Sequence, residues 1–128
     1  MEPELDFFTA LKQGVALFNR QEYFAAHEVW ERRWSNESAD ERRLLQGLIQ
    51  VAAGFYKLQS GAPAGTVKLL AKGEESLAPF TPALHGLALA ALLTAVGDWK
   101  RRAALLLSSG GRDYDPRELP RIAFARPW

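Results

Sequence analysis

The stretch DERRLLQGLIQVAAGFYKLQS, residues 40–60, decides the fold. Leu44, Leu48, Val51, Phe55 and Leu58 recur every three or four residues, which is the spacing of one helix face. Leu45, Ile49, Ala52 and Tyr56 form a second stripe beside the first. A helix lying on a protein surface needs one apolar stripe. Two adjacent stripes predict a central helix touched by several neighbours. Ser35-Asn36-Glu37-Ser38 is a polar loop ahead of it, with Ser38 or Asp40 placed to cap its start. Ser60-Gly61 stops it, and Pro63 suits the first turn of the next helix.

Upstream, Leu5, Phe8, Leu11, Val15 and Phe18 predict an amphipathic helix over 4–19. Asn19-Arg20-Gln21 breaks it, and a second helix runs from about 22 to 34. Downstream, a fourth helix covers about 63–77. Pro79, Pro82 and Gly86 then impose a loop over 79–87. A fifth helix follows over about 88–108, carrying Leu89, Leu92, Val96, Trp99, Ala103 and Leu106 on one side, with Gly97 as a weak point that could split it. The tail, about 112–128, holds three prolines and cannot form a long helix. Ile122 and Phe124 are its apolar anchors, and disorder of the last few residues is the competing expectation. The whole reads as all-α: one domain, 1–128, a compact bundle of about five helices with an irregular Pro-rich C-terminal tail.

Composition narrows the function classes. A chain of 128 residues fits one domain and buries roughly two thirds of its unfolded surface without a staple. It has no cysteine, so disulfides and thiolate metal sites are excluded. No apolar run approaches the ~18 residues of a membrane span, and the acidic start MEPELDFF is unlike a signal peptide, so a cytoplasmic location is expected. Sixteen Lys and Arg against fifteen Asp and Glu leave a net charge of +1, without the basic excess of a nucleic-acid binder. Arg32-Arg33, Arg42-Arg43 and Lys100-Arg101-Arg102 read as solvated helix faces.

The candidate site lies in YFAAHEVWERRW, residues 23–34. At about 100° per residue, Tyr23, Phe24, His27, Trp30, Glu31 and Trp34 share one face. His27 and Glu31, four residues apart, are neighbours there. An unpaired carboxylate under aromatic cover costs several kcal/mol, so the two are expected to form a buried or half-buried pair. On the central helix, Gln46, Gln50 and Lys57 line up away from the apolar stripes, flanked by Gly47, Ala53 and Gly54. Small residues admit a close neighbour. If the second helix packs there, Gln46 and Gln50 meet His27 and Glu31 in a polar cluster walled by Trp30, Trp34 and Tyr56.

FNRQEYFAAHEVWERRW, RRLLQGLIQVAAGFYK and GAPAGTVKLLAKGEESL together resemble the small helical family known as domain of unknown function 309, over about residues 15–97. The resemblance rests on Tyr23-Phe24, His27-Glu28, Trp34, Leu45 to Gln50, and Tyr56. It implies a cytoplasmic, mostly prokaryotic all-α bundle and no particular activity. Two positions depart from the family pattern: Lys57 stands where a histidine is common, and Ala88 where an acidic residue often begins the last helix.

Four readings follow. A zinc hydrolase needs two histidines one turn apart, but Glu31 stands where the second should be and His85 falls in a predicted loop, so no bound metal and no cofactor are expected. An acid–base enzyme could use His27 as base and Glu31 to orient it, with Tyr23, Gln46, Gln50 and Tyr56 binding substrate. A structural polar cluster fixes helix register, with Trp30 and Trp34 as core, and makes the protein an interaction or scaffold module. A small-molecule binder would use the same aromatic walls without chemistry. The structural reading is favoured. The expected partner is a protein or an unknown small molecule, with a homo-oligomer open and nucleic acid and membrane excluded.

Overall fold

A computed structural model of the chain describes residues 5–125. Five helices follow in order: α1 Phe7–Asn19, α2 Tyr23–Trp34, α3 Ala39–Gln59, α4 Pro63–Leu77 and α5 Leu89–Ser109. Asp6 opens α1 as its N-cap, its carboxylate accepting from the Thr9 amide at 2.8 Å. Asp40 and Glu41 stand in the first turn of α3, where the positive end of the helix dipole favours them. Gly61, at φ 76°, follows the C-cap of α3, and Pro63 begins α4 as the sequence requires. α5 runs unbroken through Gly97, so the expected weak point does not divide it.

The central helix is α3. Its first stripe is the core: Leu44, Leu48, Val51 and Phe55 are fully buried. Each side chain of this size contributes roughly 1.5–3 kcal/mol on leaving water. Phe55 meets Tyr23, Phe18 and Trp99, tying α1, α2, α3 and α5 together through aromatic rings. The second stripe is split: Leu45 and Ala52 are buried, Ile49 is half-buried and Tyr56 is exposed.

The small-residue flank of α3 receives α4, not α2, which corrects the expected packing. A methyl at Gly47 would lie 2.5 Å from Leu77, and one at Gly54 would lie 2.8 Å from Leu70. Thr66 donates to the Gly54 carbonyl at 2.9 Å, and Ser76 donates to Gln50 Oε1 at 2.8 Å. The glycines therefore serve a close α3–α4 crossing.

The segment expected to be loop holds a 3₁₀ turn, Ala78–Phe80, and a two-residue hairpin in which β1, Ala83–Leu84, pairs antiparallel with β2, Leu87–Ala88. Its turn residues His85 and Gly86 both have positive φ, 50° and 81°, as a primed hairpin turn demands. The tail is held against the bundle up to residue 125. Leu119 and Ile122 are buried, and a further 3₁₀ turn spans Pro116–Glu118. Phe124 is 44% exposed, so of the two expected anchors only Ile122 is one. Residues 126–128 of the tail and residue 4 of the helix expected over 4–19 lie outside the described residues, and that helix begins only at Phe7.

Candidate functional site

Two stripes run side by side along α2. Tyr23, Ala26 and Trp30 point inward and are buried. Phe24, His27, Glu31 and Trp34 form the outer stripe, spaced by three, four and three residues. The aromatic face predicted for α2 is thus half core. Tyr23 and Trp30, expected to bind ligand, are at 1% and 0% exposure and reach no surface. Trp30 lies across Gly14 of α1, its indole N–H directed at the Leu11 carbonyl at 3.4 Å.

The outer stripe borders α3 at both ends. The rings of Phe24 and Tyr56 meet at 5.4 Å, and the Arg42 guanidinium sits 4.0 Å from the centre of the Trp34 ring. Ten residues of α2 separate these contacts, about 15 Å of helix. Between them His27 and Glu31 stand on α2, while Gln46, Ile49 and Ala53 lie on the same side of α3 by helical spacing. This antiparallel seam is the candidate site. It assembles five expected residues, His27, Glu31, Trp34, Gln46 and Tyr56, and adds Phe24 and Arg42, which the sequence reading had not assigned. Gln50 is turned to α4 through Ser76, and Gln46 is exposed. Among the described residues no hydrogen bond joins either glutamine to His27 or Glu31, so the four-residue polar cluster does not form.

His27 and Glu31 do pair. His27 Nε2 lies 2.7 Å from Glu31 Oε2, and Nδ1 lies 3.2 Å from the Phe24 carbonyl. Both ring nitrogens therefore face acceptors. The imidazolium donates to both, whereas either neutral tautomer satisfies one. The Phe24 ring stacks obliquely on His27 at 5.2 Å. The pair is wetter than expected: the side chain of His27 is 24% exposed and that of Glu31 58%. Burial of the carboxylate, the premise of the expectation, does not occur.

Beside the Trp34 end lies an open hollow of about 370 Å³ lined by Glu28, Glu31, Arg32, Trp34 and Ser35. Trp34 Nε1 is buried and has no hydrogen-bond partner. Among the described residues no three His, Asp or Glu side chains converge as a metal site. His85 pairs instead with Glu41, Nε2 to Oε2 at 3.1 Å, and packs edge-on against the rings of Phe7 and Phe8. No helix among the described residues is long and apolar enough to cross a membrane.

Residues 11–69 match the family described as Domain of unknown function (DUF309). The matched residues run from α1 into α4 and contain the whole seam, but not α5 or the tail, a shorter span than the resemblance first indicated. No curated protein matches the chain.

Proposed function

We propose that this protein is a protein-interaction module that docks a partner on the α2–α3 seam, with His27 and Glu31 as the polar contact inside an aromatic surface. One observation carries the reading: Phe24 and Tyr56, 49% and 40% exposed, hold their rings together in solvent beside the His27–Glu31 pair. Exposed aromatic side chains that bring large area at low entropy are typical anchors of interfaces. The seam is open along its length, which suits a partner surface better than enclosure of a small molecule. An acid–base role fits less well. His27 spends one nitrogen on Glu31 and the other on the Phe24 carbonyl, leaving neither directed at a substrate.

The hollow lined by Glu28, Glu31, Arg32, Trp34 and Ser35 favours a second reading, a small polar ligand bound by those side chains. The two readings separate by experiment. A Phe24→Ser/Tyr56→Ser double variant, folded by circular dichroism, should lose a discrete protein that the parent retains from a lysate of its own source in near-equal amount. Retention of the same protein by the variant would defeat the interaction reading. Native mass spectrometry showing a small molecule on the parent but not on a Trp34→Phe variant would put the second reading in its place.

A further inference from the structure

The tail lies in a site of its own, away from the seam, and the manner of its binding is informative. Asn19, the last residue of α1, clamps the backbone of Ile122 in both directions. Its Nδ2 donates to the Ile122 carbonyl at 3.0 Å and its Oδ1 accepts from the Ile122 amide at 2.7 Å. Beyond this clamp the tail pairs with the hairpin edge: Ala88 N donates to the Ala123 carbonyl at 2.9 Å, Ala125 N to the Gly86 carbonyl, and Phe124 stands opposite Leu87 in antiparallel register. Before the clamp, Gln21 Nε2 donates to the Pro116 carbonyl at 2.7 Å. These bonds all go to main-chain atoms. Side-chain selection comes from Leu119 and Ile122, both buried, from the Tyr114 ring set edge-on to Trp99 at 5.9 Å, and from Glu118 paired with Arg102 at 3.4 Å. The bundle thus presents a groove for an extended strand with two apolar side chains three residues apart, which is how sheet edges take up peptides.

The connection that brings the tail to the groove is slight. α5 ends at Ser109, and Gly110, at φ 72°, has nothing within 4 Å of the position its side chain would take. Gly111 follows. A groove that reads main chain and these side chains takes the same strand equally from any copy of this chain.

We propose that the groove also accepts the tail of a second copy of this chain, giving a two-fold dimer with exchanged arms. A second copy is the occupant that the contacts favour. A foreign peptide would displace the resident tail and leave Leu119 and Ile122 in water, whereas reciprocal exchange refills both grooves and repeats every contact of the closed chain. The balance between the closed monomer and the exchanged dimer is set by the Gly110–Gly111 linker. A short flexible link holds the resident tail at an effective concentration of about a millimolar. Exchange therefore grows as protein concentration approaches that level, and it dominates when the link is too short to close.

The test uses the full chain with p-benzoylphenylalanine in place of Phe124, an exposed position facing Leu87, mixed with a tagged full-length copy lacking the probe. Irradiation should yield a tagged cross-linked species joining position 124 of one copy to residues 84–88 of the other. Its share should rise with concentration from about 1 μM to about 1 mM. Deleting Gly110 and Gly111 should raise it at least about tenfold at low concentration. If the shortened chain fails to fold, the concentration series on the unshortened chain decides. Cross-links confined to single copies at every concentration would overturn the proposal, and so would a dimer whose cross-links map away from the hairpin.

Discussion

His27 Nε2 lies 2.7 Å from Glu31 Oε2, one helical turn apart on the outer stripe of α2, and the pair holds together in partial contact with water. That exposure decides its energetic weight. Solvent screens the attraction, and exposed pairs at this spacing contribute about 0.3–0.5 kcal/mol. Glu31→Ala should therefore lower stability by under about 1 kcal/mol in urea titrations. A loss well above about 2 kcal/mol would mean that the carboxylate is buried after all.

The aromatic core carries a different kind of polar group. Tyr23 is buried beside Phe18 and Phe55, and its hydroxyl has no hydrogen-bond partner. An orphaned buried hydroxyl costs about 1–3 kcal/mol. Tyr23→Phe removes it without changing the shape of the ring, and should raise the unfolding free energy by up to about 1–2 kcal/mol. A loss of stability would show that the hydroxyl is satisfied by a bound water.

Burial also pushes the Tyr23 hydroxyl far above the ordinary tyrosine range, with the neighbouring Tyr114 adding to the shift. The folded chain holds this proton more tightly than the unfolded one. Its protonation leaves stability unchanged with pH below the unfolded value of about 10, and stability falls as pH rises beyond it toward the folded value. The parent should lose stability more steeply above about pH 10 than Tyr23→Phe. Parallel curves of melting temperature against pH would refute this.

How much of this was legible in the chain can be argued residue by residue. The helices were, because Gly61 and Pro63 punctuate α3 and α4 and the apolar spacing is regular. The partners of each face were not. A helical wheel placed Trp30 and Trp34 together, yet one closes the core over Gly14 and the other borders solvent. The wheel gives direction but not the neighbour, and the neighbour decides burial. The glycine flank of α3 was recognised as a contact surface and given to α2 because His27 and Glu31 needed partners. The closer fit, with Leu77 and Leu70 over Gly47 and Gly54, belonged to α4. The clamp of Asn19 on Ile122 spans 103 positions and leaves no local signal in the sequence. The His85-Gly86 turn did leave one, since two adjacent positive-φ positions suit a hairpin, but histidine in the place usual for asparagine concealed it.

Close packing of α3 on α4 gives a fourth test. A methyl at Gly73 would stand 2.6 Å from Val51 Cγ2 and 3.3 Å from the Gly47 carbonyl, which belongs to the backbone and cannot turn aside. Alanine is the better helix former by about 1 kcal/mol, but overpacking of this kind costs about 1–3 kcal/mol. Gly73→Ala should come out destabilised, while Gly97→Ala, where the nearest atoms are 3.5 Å away and belong to flexible side chains, should be neutral or stabilised. Equal behaviour of the two variants in thermal melts would mean that the α3–α4 crossing is looser than its geometry.

The last test concerns the start of α1. The Thr9 backbone amide beside Asp6 holds its carboxyl below the usual carboxylate range, helped by hydrogen bonding to Thr9. The folded value lies under the unfolded one. The stabilisation is therefore present above the unfolded value of about 4 and disappears as pH falls through the folded one. Asp6 is fully exposed, so the effect is confined to anchoring the first turn of α1. Asp6→Ala should melt below the parent at pH 7, and the two melting temperatures should converge as the buffer is taken to about pH 2, where the parent's carboxylate is also lost. Asp6→Asn separates cap from charge: its side-chain oxygen still accepts from the Thr9 amide, so it should lie between the other two at pH 7 and show a weaker response to acid than the parent. A gap between parent and Asp6→Ala that stays constant from neutral to acid pH would show that the ionised carboxylate does not hold the helix start.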